Sequence, residues 1–112
     1  MAKNLSLTDT VTIANGATTS AAIAMQASRI PLAILIPAAM TGTAITFQAS
    51  PDGGANYFPI FLESTLYSVA VPTAATRHIA LDRRAFEGVR LVRLVSNATE
   101  LALRTIGVIS GE

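Results

Sequence analysis

Side chains able to act as acids, bases, nucleophiles or metal ligands are few and scattered in this chain. There is one histidine, His78, and no cysteine. Thiol nucleophiles, iron–sulfur clusters, cysteine zinc sites and paired-imidazole metal sites are therefore excluded. His78 lies in Thr76-Arg77-His78-Ile79-Ala80-Leu81, where period-two alternation sends Ile79 and Leu81 to one face and His78 with Ala80 to the other. A general base needs a nucleophile and an orienting partner; with neither nearby, His78 reads as an ordinary strand histidine. The carboxylates Asp9, Asp52, Glu63, Asp82, Glu87, Glu100 and Glu112 stand singly. Pro51-Asp52-Gly53-Gly54-Ala55-Asn56 has one carboxylate where a calcium loop gathers several oxygen ligands, so it reads as a hairpin turn. Gly53-Gly54 stands alone, without the Lys-Ser or Lys-Thr that completes a phosphate loop. No catalytic, cofactor-binding or metal-ligating residue is expected, and the chain does not read as an enzyme.

The arginines are the other chemical group, and they are unevenly spread. Residues 1–76 hold Lys3 and Arg29 against Asp9, Asp52 and Glu63, a balance of −1. Residues 77–104 hold Arg77, Arg83, Arg84, Arg90, Arg93 and Arg104 against Asp82, Glu87 and Glu100, a balance of +3. Seven arginines to one lysine favour interface ion pairing, because the guanidinium fork meets carboxylates in two-pronged fashion and is cheaper to desolvate than an ammonium. The bland alternative is a solvated face with internal pairs such as Arg90 with Glu87. A nucleic-acid partner is disfavoured by the net charge of +1 and by six aromatics that do not interleave with the cations as stacking platforms would. The candidate interface residues are Lys3, Leu5, Leu7, Arg83, Arg84, Arg90 and Arg93.

What must position these residues is one small domain of 112 residues. Charged residues make up 13% of it, against about a quarter in ordinary globular chains, and the mean hydropathy is +0.50. Such a chain is expected to hide surface against something. The best apolar run, Ile30 to Ile36, is bracketed by Arg29, Pro31 and Pro37 and is far short of the roughly 18 residues of a membrane helix. The start lacks the apolar core of a secretory signal, and without cysteine there is no disulfide framework, so synthesis in the cytosol is expected. Twenty alanines inflate the apolar total, and domains of this size are only marginally stable. Oligomerisation or docking would help.

Period-two alternation recurs along the chain. Strands are expected at Leu5–Ile13, Thr19–Met25, Ile30–Ile36 (buried on both faces), Ile45–Ser50, Asn56–Phe61 (at an edge or bulged at Pro59), Leu66–Val71, Arg77–Leu81, Val89–Val95 and Leu101–Ile109. Thr19–Met25 is also helical by propensity, although its alternation favours a strand. Between 82 and 88 a single helical turn is expected, with Asp82 as N-cap, Gly88 as its end and Phe86 as a core plug. Eight to nine short strands with turns at roughly ten-residue intervals predict an all-β antiparallel sandwich, with a jelly roll as a candidate arrangement. The whole chain, 1–112, reads as one domain, with residues 1–12 as either a first strand or an extended arm.

Some of these runs resemble a known group. Pro37-Ala38-Ala39-Met40-Thr41, followed by Ala44-Ile45-Thr46-Phe47-Gln48-Ala49-Ser50-Pro51-Asp52-Gly53-Gly54, is similar to a run in small structural proteins of tailed bacteriophages. Ile79-Ala80-Leu81, Phe86-Glu87-Gly88-Val89-Arg90 and Leu91-Val92-Arg93-Leu94 look like that family's second half. The resemblance spans roughly residues 30–109 and departs from the pattern at Met40, where relatives often carry Trp, and near 97–101. It implies a virion component made in the bacterial cytoplasm: a capsid decoration or cement protein, partnered by the major capsid protein and by copies of itself, with a trimer favoured. A tail or head-to-tail connector protein is the alternative within the virion. Outside it, the alternative is a carbohydrate-binding sandwich using Tyr57, Phe58, Phe61 and Tyr67.

Overall fold

In the computed structural model, which describes residues 7–25, 29–71 and 76–111, alternating segments pair into facing antiparallel sheets. The described strands are β1 (Leu7–Ile13), β2 (Ile23–Ala24), β3 (Ile30–Ile36), β4 (Ala44–Ser50), β5 (Phe58–Pro59), β6 (Phe61–Leu62), β7 (Thr65–Leu66), β8 (Ser68–Ala70), β9 (Arg77–Ala80), β10 (Leu91–Ser96) and β11 (Arg104–Gly111). A 3-10 turn, Arg83–Phe86, lies between β9 and β10. One sheet has the order β1-β11-β3-β9, and the other β2-β10-β4-β5, with β8 also on β4.

The pairings nest. β1 pairs with β11, β2 with β10, β3 with β9 and β4 with β8, as in one long hairpin. The pairs β11–β3 and β10–β4 then roll that hairpin up. This connectivity is that of a jelly roll, two interlocked Greek keys facing each other as a sandwich. Inward residues alternate as the pattern requires: Val11, Ile13, Ile34, Ile36, Ile106 and Val108 from one sheet meet Ile23, Ile45, Phe47, Val92 and Leu94 from the other. Each such side chain, fully buried, stabilises by about 1.5–3 kcal/mol.

Several expectations need correction in detail. Eleven strand segments are described rather than eight or nine, because the return from the 51–56 turn is broken. Pro59 has no N–H to give a ladder, and the next residue, Ile60, turns inward and donates its N–H to the Phe47 carbonyl. Tyr67 interrupts the following run by donating its N–H to the Ile60 carbonyl, while its ring packs against Phe47 and Phe86. The expected strand at 19–25 shrinks to Ile23–Ala24, since the Ser20 hydroxyl accepts from Leu94 N–H in place of a backbone carbonyl. The last strand starts at Arg104 rather than Leu101. In β3, Leu35 points outward at 40% exposure, so that strand is not buried on both faces. From Leu7 onward the N-terminal segment is a strand in register with β11; residues 1–6, the rest of the possible arm, lie outside the described residues.

The strand registers define two ends. At the first, the β1–β2, β3–β4 and β10–β11 connections meet around Glu100, which has no solvent exposure. Its carboxylate accepts from Thr41 N–H (2.8 Å), Gly42 N–H (2.9 Å), Ser96 Oγ–H (2.8 Å) and Arg104 Nε–H (2.9 Å). Its backbone adds two links, donating to the Ala17 carbonyl and accepting from Gly16 N–H. Gly42 is required by this closeness: a Cβ there would collide with Ser96 Oγ and sit 3.3 Å from Glu100 Oε2. Burial on its own would push the Glu100 carboxyl up; the Thr41, Ser96, Gly42 and Arg104 hydrogen bonds outweigh it and hold the group at about 2, down from an ordinary 4.5.

At the second end the 3-10 turn closes the sandwich. Asp82 caps it, accepting from Arg84 N–H at 3.0 Å, and Phe86 enters the core as the alternation suggested. Phe86 meets Phe47 edge-on at 5.0 Å and Tyr67 edge-on at 5.7 Å, and the Tyr67 hydroxyl accepts from Asp82 N–H at 2.8 Å. Such aromatic pairs add about 0.5–1.5 kcal/mol beyond area burial.

Two outcomes are expected. Phe86→Ala removes the plug of the second end and lowers unfolding stability by about 3–5 kcal/mol in urea titration. Because the folded Glu100 carboxyl titrates below its unfolded value, its contribution is complete above pH ~5 and is lost as pH falls toward 2, a swing of about 3 kcal/mol. Asp52 and Asp82 are also held below the usual carboxylate range, chiefly by side-chain hydrogen bonds from Asn56 and Arg84 respectively. The comparison that isolates Glu100 is therefore the wild type against Glu100→Gln across that pH window, and the variant should show a flatter acid slope and lower stability at pH 7.

Candidate functional site

The second end also gathers the arginines. Asp82 starts the 3-10 turn, and Gly88 ends the segment in the left-handed region (φ +81°), which turns the chain from Phe86 back toward β10. This reversal sets Arg83 and Arg90 on one cleft of about 220 Å³, with Glu87 and Val89 between them. The facing wall comes from Arg29 and Ile30, where the chain enters β3; Ile30 pairs with Gly111, and Arg29 donates to the Ser110 carbonyl at 3.3 Å. Among the described residues, Arg29, Arg83, Arg90 and Glu87 thus share the lining of a single concavity with Ile30 and Val89. Beyond the 87–89 segment, which it shares, a second groove of about 260 Å³ is walled by Ala49, Pro51, Phe58, Pro59 and Ile60 and is largely apolar. Phe58, at its rim, is 55% exposed.

The expected interface residues divide across the molecule. Arg83 and Arg90 come together in the cleft, and Leu7 enters the fold at the same end, its backbone paired with Ser110. Lys3 and Leu5 lie outside the described residues. Arg84 is turned away and forks onto Asp82, with Nε at 3.2 Å from Oδ1 and Nη2 at 2.9 Å from Oδ2, and it reaches Glu63 at 3.9 Å. Arg93 sits on the outer face of β10, where its Nε donates to Gln48 at 2.7 Å and its guanidinium lies 4.0 Å over the Tyr57 ring. Internal ion pairs among the described residues include Arg84 with Asp82 and Glu63, and Arg104 with Glu100. Arg90 does not pair with Glu87 among the described residues.

Three contributions are not apparent from the sequence. Arg29 belongs to the half whose charge balance is slightly negative, and it is the β3–β9 pairing, continued by the Leu81 N–H to Leu32 carbonyl bond, that brings the start of β3 to the Arg83 turn. Leu101 and Leu103 continue an alternating run, yet they lie ahead of β11, 72% and 62% exposed, beside the Glu100 cluster. Phe61 and Leu66 face each other across the β6–β7 hairpin, 55% and 41% exposed. The 51–56 segment is a turn in which the Asp52 carboxylate accepts from Ser50 Oγ–H, Asn56 N–H and Asn56 Nδ2–H, so its oxygens are committed to closing the loop.

Gly88 is the hinge of this arrangement. A Cβ there meets nothing within 4 Å, so the cost of Gly88→Ala is backbone strain alone, about 1–2 kcal/mol. Thermal unfolding should show that loss, and NMR shifts should change chiefly at Arg83, Glu87 and Arg90.

Compared with protein-family models, curated proteins and solved structures, the chain matches none.

Proposed function

We propose that the chain is a structural protein of a tailed-phage virion, a decoration protein that cements an assembled capsid. The observation that carries the reading is apolar surface left uncovered at two separate places on a chain with little charge. One is the β6–β7 hairpin with Phe61 and Leu66, tied to the 3-10 turn by the Glu63–Arg84 pair; the other is Leu101 and Leu103 at the opposite end. The six residues of β10 separate the two ends by roughly 20 Å at about 3.3 Å per residue. Exposed apolar clusters on a small domain mark interaction surfaces. A decoration oligomer needs two of them, one toward copies of itself and one toward the shell. The likeness of 37–54 and 79–94 to phage structural proteins supports the same reading.

The role asks no chemistry of the chain. A protein that binds only the assembled shell stabilises it by mass action, and closed rotational symmetry, with a trimer at a threefold lattice position, repeats that contribution across the lattice. The major capsid protein is the partner in this reading, and the capsid surface its place. A carbohydrate-binding role draws less support, because Tyr57 carries Arg93 on one ring face and Tyr67 packs between Phe47 and Phe86.

Quantitative mass spectrometry of virions from a lysate carrying the gene tests the proposal. On the order of hundreds of copies per particle are expected of a shell protein, whereas about a dozen would move it to the connector or tail. Absence from the particle would overturn the virion reading. The paired variants Leu101→Ser with Leu103→Ser, and Phe61→Ser with Leu66→Ser, should separate the two contacts. One pair should change the mass of the free protein in light scattering, and the other should lower capsid occupancy at unchanged mass.

A further inference from the structure

We infer that the free edge of β1 pairs with the same edge of a second copy of this chain, antiparallel and centred on Thr10, so that two four-stranded sheets join into one continuous sheet. The inference does not rest on the virion reading. It concerns a twofold contact along a strand edge, whereas the oligomer proposed above draws on the apolar clusters at the two ends.

Among the described strands, those that end a sheet of the sandwich are β1, β9, β2, β5 and β8. β2 and β5 have two residues each, β5 including Pro59; β8 has three and β9 four. β1 has seven, and all of them are in register with β11 on one side. On the other side none of them pairs with a described residue. A row of unpaired N–H and C=O groups is a template for another strand, and proteins blunt it with short strands, proline, lysine or bulges. β1 has no proline, no lysine and no shift in its register. At about 3.3 Å per residue it therefore leaves an edge of roughly 20 Å open to a partner strand.

The residues of this edge select a second copy as the occupant. A twofold contact sets the same patch against itself, so the strand has to match its own reverse. Thr8, Thr10 and Thr12 are exposed on the outer face and symmetric about Thr10, while Val11 and Ile13 are buried on the inner one. Antiparallel pairing about Thr10 sets Thr10 opposite Thr10, Thr8 opposite Thr12 and Asp9 opposite Val11, and it keeps inner side on inner side. Opposed threonines stabilise such a ladder. Charge then fixes the register, because Asp9 is the one charged residue of β1. Centring on Asp9 would put two carboxylates directly opposite each other, which is destabilising. Centring on Thr10 holds them on a diagonal and pairs the whole strand, whereas centring on Val11 pairs residues 9–13 alone. An unrelated strand would need none of this symmetry.

The test is disulfide cross-linking of cysteine variants of the full chain, which has no cysteine of its own. Under mild oxidation Thr10→Cys should give a linked dimer on non-reducing electrophoresis, since position 10 faces itself at a Cβ separation of about 4.5–5.5 Å. Thr12→Cys should link at least several-fold less, because its two copies stand roughly 13 Å apart along the ladder. Combining Thr8→Cys with Thr12→Cys should restore the linkage. In light scattering over a concentration series, Thr10→Lys should halve the mass of the associated protein by opposing two ammonium groups, and Asp9→Asn should move association to at least several-fold lower concentration. Leu35→Lys, on the outer face two strands in from the edge, is the control and should leave the mass unchanged. Thr10 and Leu35 are exposed, so both lysine variants should keep the thermal midpoint. Equal linkage at positions 10 and 12, or a wild type that stays monomeric, would overturn the inference. So would dissociation by Leu35→Lys to the same extent as by Thr10→Lys, which would move the contact from the edge to the face of the sheet.

Discussion

The buried carboxylate of Glu100 is the contact on which one whole end of this jelly roll depends. Taking a carboxylate out of water costs several kcal/mol even after relaxation, and here that cost is offset by four donors drawn from separate parts of the chain: Thr41 and Gly42 from the β3–β4 connection, Ser96 from the end of β10 and Arg104 from the start of β11. Connections in a rolled hairpin are far apart in sequence; Thr41 and Glu100 differ by 59 positions. Backbone ladders fix strands to strands, but they leave the connections over the sandwich ends without partners. Glu100 supplies those partners, and its own backbone reaches Gly16 and Ala17 of the β1–β2 connection as well.

The opposite end is closed by apolar packing instead. Phe86 plugs it, Phe47 and Tyr67 pack against the plug, and Asp82 joins the two kinds of interaction by capping the turn while donating its backbone N–H to the Tyr67 hydroxyl. The division follows from what each end carries. Where the connections are long, as at 14–22, 37–43 and 97–103, many backbone groups need acceptors, and a carboxylate can satisfy several at once. Where the 81–90 connection closes the other end, its 3-10 turn pairs backbone internally, Ala85 N–H with the Asp82 carbonyl and Val89 N–H with the Phe86 carbonyl, and the residual need is volume.

Much of the architecture was legible from period-two alternation, because a half-buried strand has to alternate. That pattern located β1, β3, β4, β9, β10 and β11 to within a few residues, and the turn chemistry of Asp82, Phe86 and Gly88 was local enough to read directly. The fragmentation of β5–β8 was not legible, since it turns on Ile60 bonding back to Phe47 and Tyr67 bonding back to Ile60, around a core that only tertiary packing creates. Glu100 looked like one more isolated carboxylate, because its partners at Thr41 and Gly42 lie on another loop. Leu101 and Leu103 continued the alternating pattern beyond the strand. They stay outside because Glu100, immediately before them, is held inward by its donors, a constraint no local spacing encodes.

The arginines show how the two ends divide the work. Arg104 is consumed by structure: it neutralises Glu100 and also reaches the Thr41 hydroxyl at 3.3 Å. Arg84 and Arg93 are likewise committed, to Asp82 and to Gln48 with Tyr57. Arg83 and Arg90 are set by the turn between them on one concavity beside Arg29, with Glu87 among its described lining residues. Lysine could supply the same charge there, but its point charge on a flexible stem would lose more order for each hydrogen bond formed than a planar fork does. The preference for arginine, seven to one across the chain, therefore has two separate causes. At Arg104 and Arg84 the fork satisfies internal carboxylates, and at the cleft it lines a concavity beside a turn that Phe86 has already fixed.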